Sequence, residues 1–141
     1  MGIRLRTLRI GSRAFTWHAT IHHVAGSGDC HRCLRVRVWG AGKNGRALQA
    51  DLLSGTWPSR WGSCCTDTAF PASGAVKILI RYALGHGWDP ELRGGTFLLS
   101  EADHDAEFTL PGYLLTDRLG SAAGGDPTAR VIRAYELRQA A

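Results

Sequence analysis

Apolar and polar side chains alternate along most of the first third of the chain. From Phe15 to His22 the apolar residues are separated by single threonine or histidine residues. A period of two with aromatic and β-branched side chains predicts a strand with one buried face, over residues 13–24. The same alternation predicts strands at 34–40 and 46–53, joined by the turn-forming pair Asn44-Gly45. Residues 3–10 also alternate, which favours an additional edge strand.

A helical period replaces the alternation after residue 73. Four apolar residues follow a 3.6-residue repeat and predict a largely buried helix over 74–85: Val76, Leu79, Ile80 and Ala83. A short fourth strand is predicted at 96–99, and Asp126-Pro127 precedes a final helix from about residue 128 to residue 139. The sequence therefore predicts an α+β fold with a three- to four-stranded antiparallel sheet, one main buried helix and a C-terminal helix.

The chain of 141 residues has the length of one ordinary domain. Residues 1–119 are predicted to form a single α+β domain. The glycine-rich stretch 120–126 is typical of a flexible linker, and residues 127–141 would form the C-terminal helix.

The segment that follows the predicted helix carries a resemblance. It reads GHGWDPELRGGTFLL over residues 85–99. This run resembles the closing part of small uncharacterised bacterial proteins that share a helix, a Gly-Trp-Asp-Pro turn and a short strand. The resemblance covers residues 13–100. It implies a fold and supplies no activity.

Composition narrows the class of protein. An apolar share of 44% and a charged share of 21% are those of a globular chain, and they exclude a disordered one. There is no apolar run of the roughly 20 residues that span a membrane, and the first ten residues lack the pattern of a signal peptide. We therefore expect a cytoplasmic protein without a membrane partner. The 15 arginines against two lysines are typical of a GC-rich bacterial genome.

Charge is distributed unevenly along the chain. Residues 1–50 contain nine basic side chains and one acid, whereas residues 101–141 contain four basic side chains and seven acids. A basic sheet of this kind favours a negatively charged partner. The residues predicted to bind nucleic acid lie on the outward face of the sheet or at its hairpin tip: His18, Arg35, Arg37, Trp39, Lys43 and Arg46. The side chains would contact phosphates and bases.

Cysteine spacing suggests a metal site. Cys30 and Cys33 have the two-residue spacing that zinc ligands use. The remaining ligands would come from Cys64 or Cys65, in an irregular connection, and from His22 or the neighbouring His23. In a reducing compartment four cysteines indicate thiols or metal ligands more than disulfides. A structural zinc and a set of free packed thiols are both consistent with this pattern.

No stretch of the sequence has the residues of a known catalytic centre, so no catalytic residue is predicted. The expectation is a non-enzymatic binding module that binds nucleic acid through a basic sheet face. The alternative is a protein-interaction or immunity-type domain that binds an acidic protein through the same face. A small zinc-dependent enzyme is the third possibility.

Overall fold

The computed structural model describes residues 4–40, 44–56 and 67–140. The strands are β1 (Arg6–Ile10), β2 (Arg13–Ala25), β3 (Cys30–Gly40), β4 (Ala47–Ser54), β5 (Thr96–Leu99) and β6 (Tyr113–Leu115). The helices are α1 (Ser73–Gly85), α2 (Glu101–His104) and α3 (Pro127–Ala140). None of the helices in these ranges combines the length and the apolar character that a membrane crossing requires.

The six strands form one mixed sheet, and the predicted three- to four-stranded antiparallel sheet is wrong. β1 to β4 are consecutive antiparallel neighbours. The outer edge of β4 is shared by two strands: β5 pairs with Ala47–Ala50 in parallel, and β6 pairs with Leu52–Ser54 in antiparallel orientation. The sheet is therefore both larger and more mixed than the sequence pattern indicated.

The crossover between β4 and β5 explains the parallel pair. The chain leaves β4, passes through α1, and returns to the edge that it left. A strand that returns through a helix pairs in parallel with its predecessor, because the helix carries the chain back to the starting end of the sheet. α1 covers one face of the sheet as a result. Its four buried residues pack in one cluster with Phe15, Trp17, Val36, Val38 and Leu48.

The opposite face of the sheet is divided in two. At the end near the β2–β3 turn, α3 packs on the sheet through Val131, which forms a second apolar cluster with Val24, Cys33 and Leu53. Residues 120–126, expected to be a flexible linker, are fixed at several points: Gly125 N–H donates to Glu101, and the Asp126 carboxylate accepts from Ser27 N–H. The remainder of this face carries polar side chains.

Candidate nucleic-acid interface

A group of polar residues occupies the part of the sheet face that α3 does not cover. We call this group the polar patch; it consists of His18, Arg35, Arg37, Trp39 and Gln49. The strand register brings them together, because His18 pairs with Arg37 across β2 and β3, and Arg37 pairs with Gln49 across β3 and β4. Alternation along β3 places Arg35 and Trp39 on the same face as Arg37. All lie opposite the face that α1 covers.

Arg37, Trp39 and His18 form the centre of the polar patch. The guanidinium carbon of Arg37 lies 5.4 Å from the centroid of the Trp39 ring, which is cation–π geometry. The His18 ring lies 5.3 Å from the Trp39 ring on the neighbouring strand. Trp39 and Arg37 are half-buried, whereas His18 is buried. Among the described residues no carboxylate forms an ion pair with Arg37, so its charge is not compensated there.

Arg35 differs from Arg37 because it has an acidic partner. Arg35 Nε donates to Asp51 Oδ1 at 2.8 Å, and Arg35 Nη2 donates to Asp51 Oδ2 at 3.0 Å. The two residues are direct cross-strand neighbours. The hydrogen bond to Asp51 is the main cause that raises the pKa of Arg35. Much of the charge of Arg35 is thus neutralised, and the guanidinium plane is held by two parallel bonds.

The other predicted basic residues lie apart from the polar patch. Arg46 precedes β4, and its Nε donates to the Gly94 carbonyl at 3.0 Å on the loop that follows α1. Lys43 lies outside the described residues. Arg9, which was not predicted, pairs with Ala14 and falls by alternation on the same face as His18; it is exposed. The alternation of residues 3–10 was the signal that could have identified it.

The predicted zinc ligands are separated by the strand geometry. Cys30 and Cys33 both belong to β3, and residues three apart on a strand point to opposite faces. Cys33 pairs with His22 across the sheet, while Cys30 pairs with Ala25. Burial raises the pKa of the Cys33 thiol to about 12. Cys64 and Cys65 lie outside the described residues, where the remaining ligands were expected. Within the described ranges no three potential ligands form a metal-binding group, and the zinc site stays a prediction.

His31 lies beneath α3, on the same face as Cys33. Its ring is 1% exposed, and its Nε2 is 2.7 Å from the Thr128 hydroxyl near the start of α3. Gly28 N–H also donates to this hydroxyl, at 3.2 Å. Burial is the main cause that lowers the pKa of His31, and nearby carboxylates oppose it to a smaller extent. The β2–β3 turn and the start of α3 are therefore held together by a buried hydrogen-bond network.

Comparisons with family models, curated proteins and solved structures find no match to this chain.

Proposed function

We propose that the protein binds nucleic acid through the polar patch. The observation that carries this proposal is the pair of Arg37 and Trp39: a cation without a carboxylate partner among the described residues, placed over a half-buried indole ring. Phosphates supply the negative charge that such an arginine binds, and bases stack on aromatic rings. The excess of basic residues in the first fifty positions supports the same class of partner.

Single-stranded nucleic acid fits the polar patch better than a duplex. Stacking on Trp39 requires a base whose ring face is free, and the bases of a duplex are stacked on each other. The patch lies on the sheet itself, whereas reading the major groove requires a helix or a two-stranded ribbon that enters the groove. The exposed Arg9 on β1 extends the positive charge along the same face and supports backbone contacts.

The contacts of the predicted basic residues support different contributions to binding. Arg37 is expected to contribute most to phosphate binding. Arg35 should contribute less, because a phosphate would have to compete with the Asp51 carboxylate for its charge. Arg46 is hydrogen-bonded to the loop after α1 and is expected to have a minor role.

The test measures the affinity for a labelled single-stranded 12-mer by fluorescence anisotropy at several salt concentrations. Arg37→Ala should weaken binding and reduce the slope of log affinity against log salt by about 0.7. Trp39→Ala should weaken binding by about 1–3 kcal/mol with little change in that slope. The matched control is Arg133→Ala, which removes an exposed arginine of α3 and should alter neither quantity.

Two results would contradict the proposal. One is that the parent protein binds neither single strands nor duplexes at low salt, which would favour the acidic protein partner instead. The other is that Arg37→Ala and Arg133→Ala reduce the salt slope equally, since the charge would then act without a defined site. Circular dichroism spectra of the variants show whether they are folded.

A further inference from the structure

A groove of about 430 Å³ lies beside the polar patch. Its floor is the sheet, at Arg35, Gln49 and Asp51, and Leu98 of β5 lies next to Gln49. Its opposite wall is the loop between β6 and α3, at Gly120, Ser121, Ala123 and Gly124. This volume falls in the range of small-molecule sites, which run from about 300 to 1,000 Å³. The groove therefore has room for a planar heterocycle.

The floor of the groove contains a fixed planar group. The two hydrogen bonds between Arg35 and Asp51 hold the guanidinium edge to edge with the carboxylate. The Arg35 side chain is 31% exposed and the Asp51 side chain 7% exposed. A guanidinium restrained in this way is a stacking platform for a nucleobase, because the rings of bases stack on the plane of arginine as they do on aromatic rings. Leu98 is 48% exposed and adds an apolar surface beside it.

Gln49 provides the group that can read the edge of a base. It lies two residues before Asp51 on the same face of β4, between Arg37 on β3 and Leu98 on β5. Its carboxamide offers a donor and an acceptor side by side. Among the described residues no side-chain hydrogen bond involves this carboxamide, so both groups are available to a ligand.

The wall of the groove is held in place. The Asp117 carboxylate accepts from Glu101 N–H at 2.9 Å and from Ala102 N–H at 3.2 Å. Arg118 Nη1 donates to the Gly124 carbonyl at 2.9 Å, which closes the loop. The groove lining has two carboxylates, Asp51 and Asp117, and one guanidinium, Arg35. Arg118, bonded to the wall, adds a second positive charge, so the charges balance. A groove without excess positive charge favours a neutral ring over a phosphate.

We propose that this groove binds one unstacked adenine base of a nucleic acid held on the polar patch. The inference rests on the proposed function, since the patch would hold the neighbouring nucleotides. The adenine would stack on the guanidinium of Arg35, and the Gln49 carboxamide would pair with its amino group and an adjacent ring nitrogen. Glutamine pairs with adenine in this bidentate way because the donor and acceptor positions match.

The test compares four single-stranded probes: a 12-mer of thymidines, and the same oligonucleotide with one central dA, dC or dG. The parent should bind the dA probe about tenfold more tightly than the all-thymidine probe, the discrimination of one good bidentate contact. Gln49→Ala should reduce this preference to less than about twofold and leave the salt slope unchanged. Gln139→Ala is the matched control, since Gln139 is exposed on α3 and should leave the preference intact.

A second variant fills the groove without altering the sheet. Ala123→Leu places a larger side chain on the exposed loop wall and should also remove the preference for dA. If Gln49→Ala does not fold, the preference of Ala123→Leu for the dA probe tests the adenine site by itself. Equal binding of all four probes by the parent, or a preference that survives both variants, would overturn the adenine site while leaving nucleic-acid binding intact. Failure of the parent to bind any probe would overturn the proposed function and the adenine site together.

Discussion

Val131 is the apolar residue of α3 that packs in the second cluster on the sheet, and its truncation tests whether that helix is part of the folded domain. Its side chain is fully buried against Val24, Cys33 and Leu53. Val131→Ala removes two methyl groups, each worth about 0.8 kcal/mol of burial. The cavity that remains adds about 1 kcal/mol. The free energy of unfolding should therefore fall by about 2–3 kcal/mol, if α3 unfolds together with the sheet.

The assay combines urea denaturation with labelling of Cys33. In a background in which Cys30, Cys64 and Cys65 are replaced by serine, Cys33 is the single thiol, and it is fully buried under α3. A buried thiol reacts only when the structure opens, so its labelling rate reports the population of open molecules. A loss of 2–3 kcal/mol should raise this rate by about 30-fold or more. Leu137→Ala is the matched control, because Leu137 lies on the same helix and is 57% exposed; we expect a change within about 0.5 kcal/mol.

Equal urea midpoints and equal labelling rates of Val131→Ala and Leu137→Ala would contradict the packing of α3 on the sheet. Residues 127–141 would then behave as an independent appendage behind a flexible linker, as the composition of residues 120–126 suggested.

Two further predictions concern the contact between the β2–β3 turn and α3. Burial lowers the pKa of His31 from its ordinary value of 6.5, so the unfolded chain takes up the proton first as the pH falls. The free energy of unfolding should therefore decrease below about pH 6.5. Urea midpoints at about pH 7.5 and about pH 5 should therefore differ more in the parent than in His31→Asn, and parallel pH profiles would contradict this. Gly26→Ala should destabilise the fold by about 1–3 kcal/mol, because the new Cβ would lie 2.7 Å from the Thr128 backbone nitrogen. The control is Gly74→Ala in α1, where a new Cβ meets no atom within 4 Å. This change should stabilise the fold by about 0.5–1 kcal/mol. Equal melting temperatures of the two variants would show that the turn does not pack on Thr128.

The elements with long periodic patterns were predictable from the sequence. β2, β3 and β4 coincide with the three alternating segments, and α1 and α3 with the two helical ones, to within a few residues. The direction of β5 was predicted wrongly, because the apolar pattern of a short strand does not distinguish a parallel pair from an antiparallel one. β6 was missed because three residues are too few to show a period. The sheet is mixed because β5 pairs with β4 in parallel, and it is larger than predicted because the antiparallel β6 adds a strand.

The candidate site was predictable in part. The alternation along β3 placed Arg35, Arg37 and Trp39 on one face, opposite α1. The ion pair between Arg35 and Asp51 depends on the register between β3 and β4, which the alternation alone does not fix. The predicted strand at 34–40 left Cys30 and Cys33 before its start. β3 instead begins at Cys30, because β2 continues to Ala25 and pairs with it.

The shared edge of β4 has a consequence for the protein during its synthesis. β1 to β4 are consecutive hairpin partners and can pair as soon as they are made. The other edge of β4 stays unpaired until β5 and β6 are made, about 45 and 60 residues later. At about 5–20 residues per second these intervals last roughly 2–12 s. During that time an apolar strand next to the core presents unpaired backbone groups, which are the template for association with another chain. Residues 96–115 thus complete the sheet and cover an edge that is open to pairing with another chain until they are made.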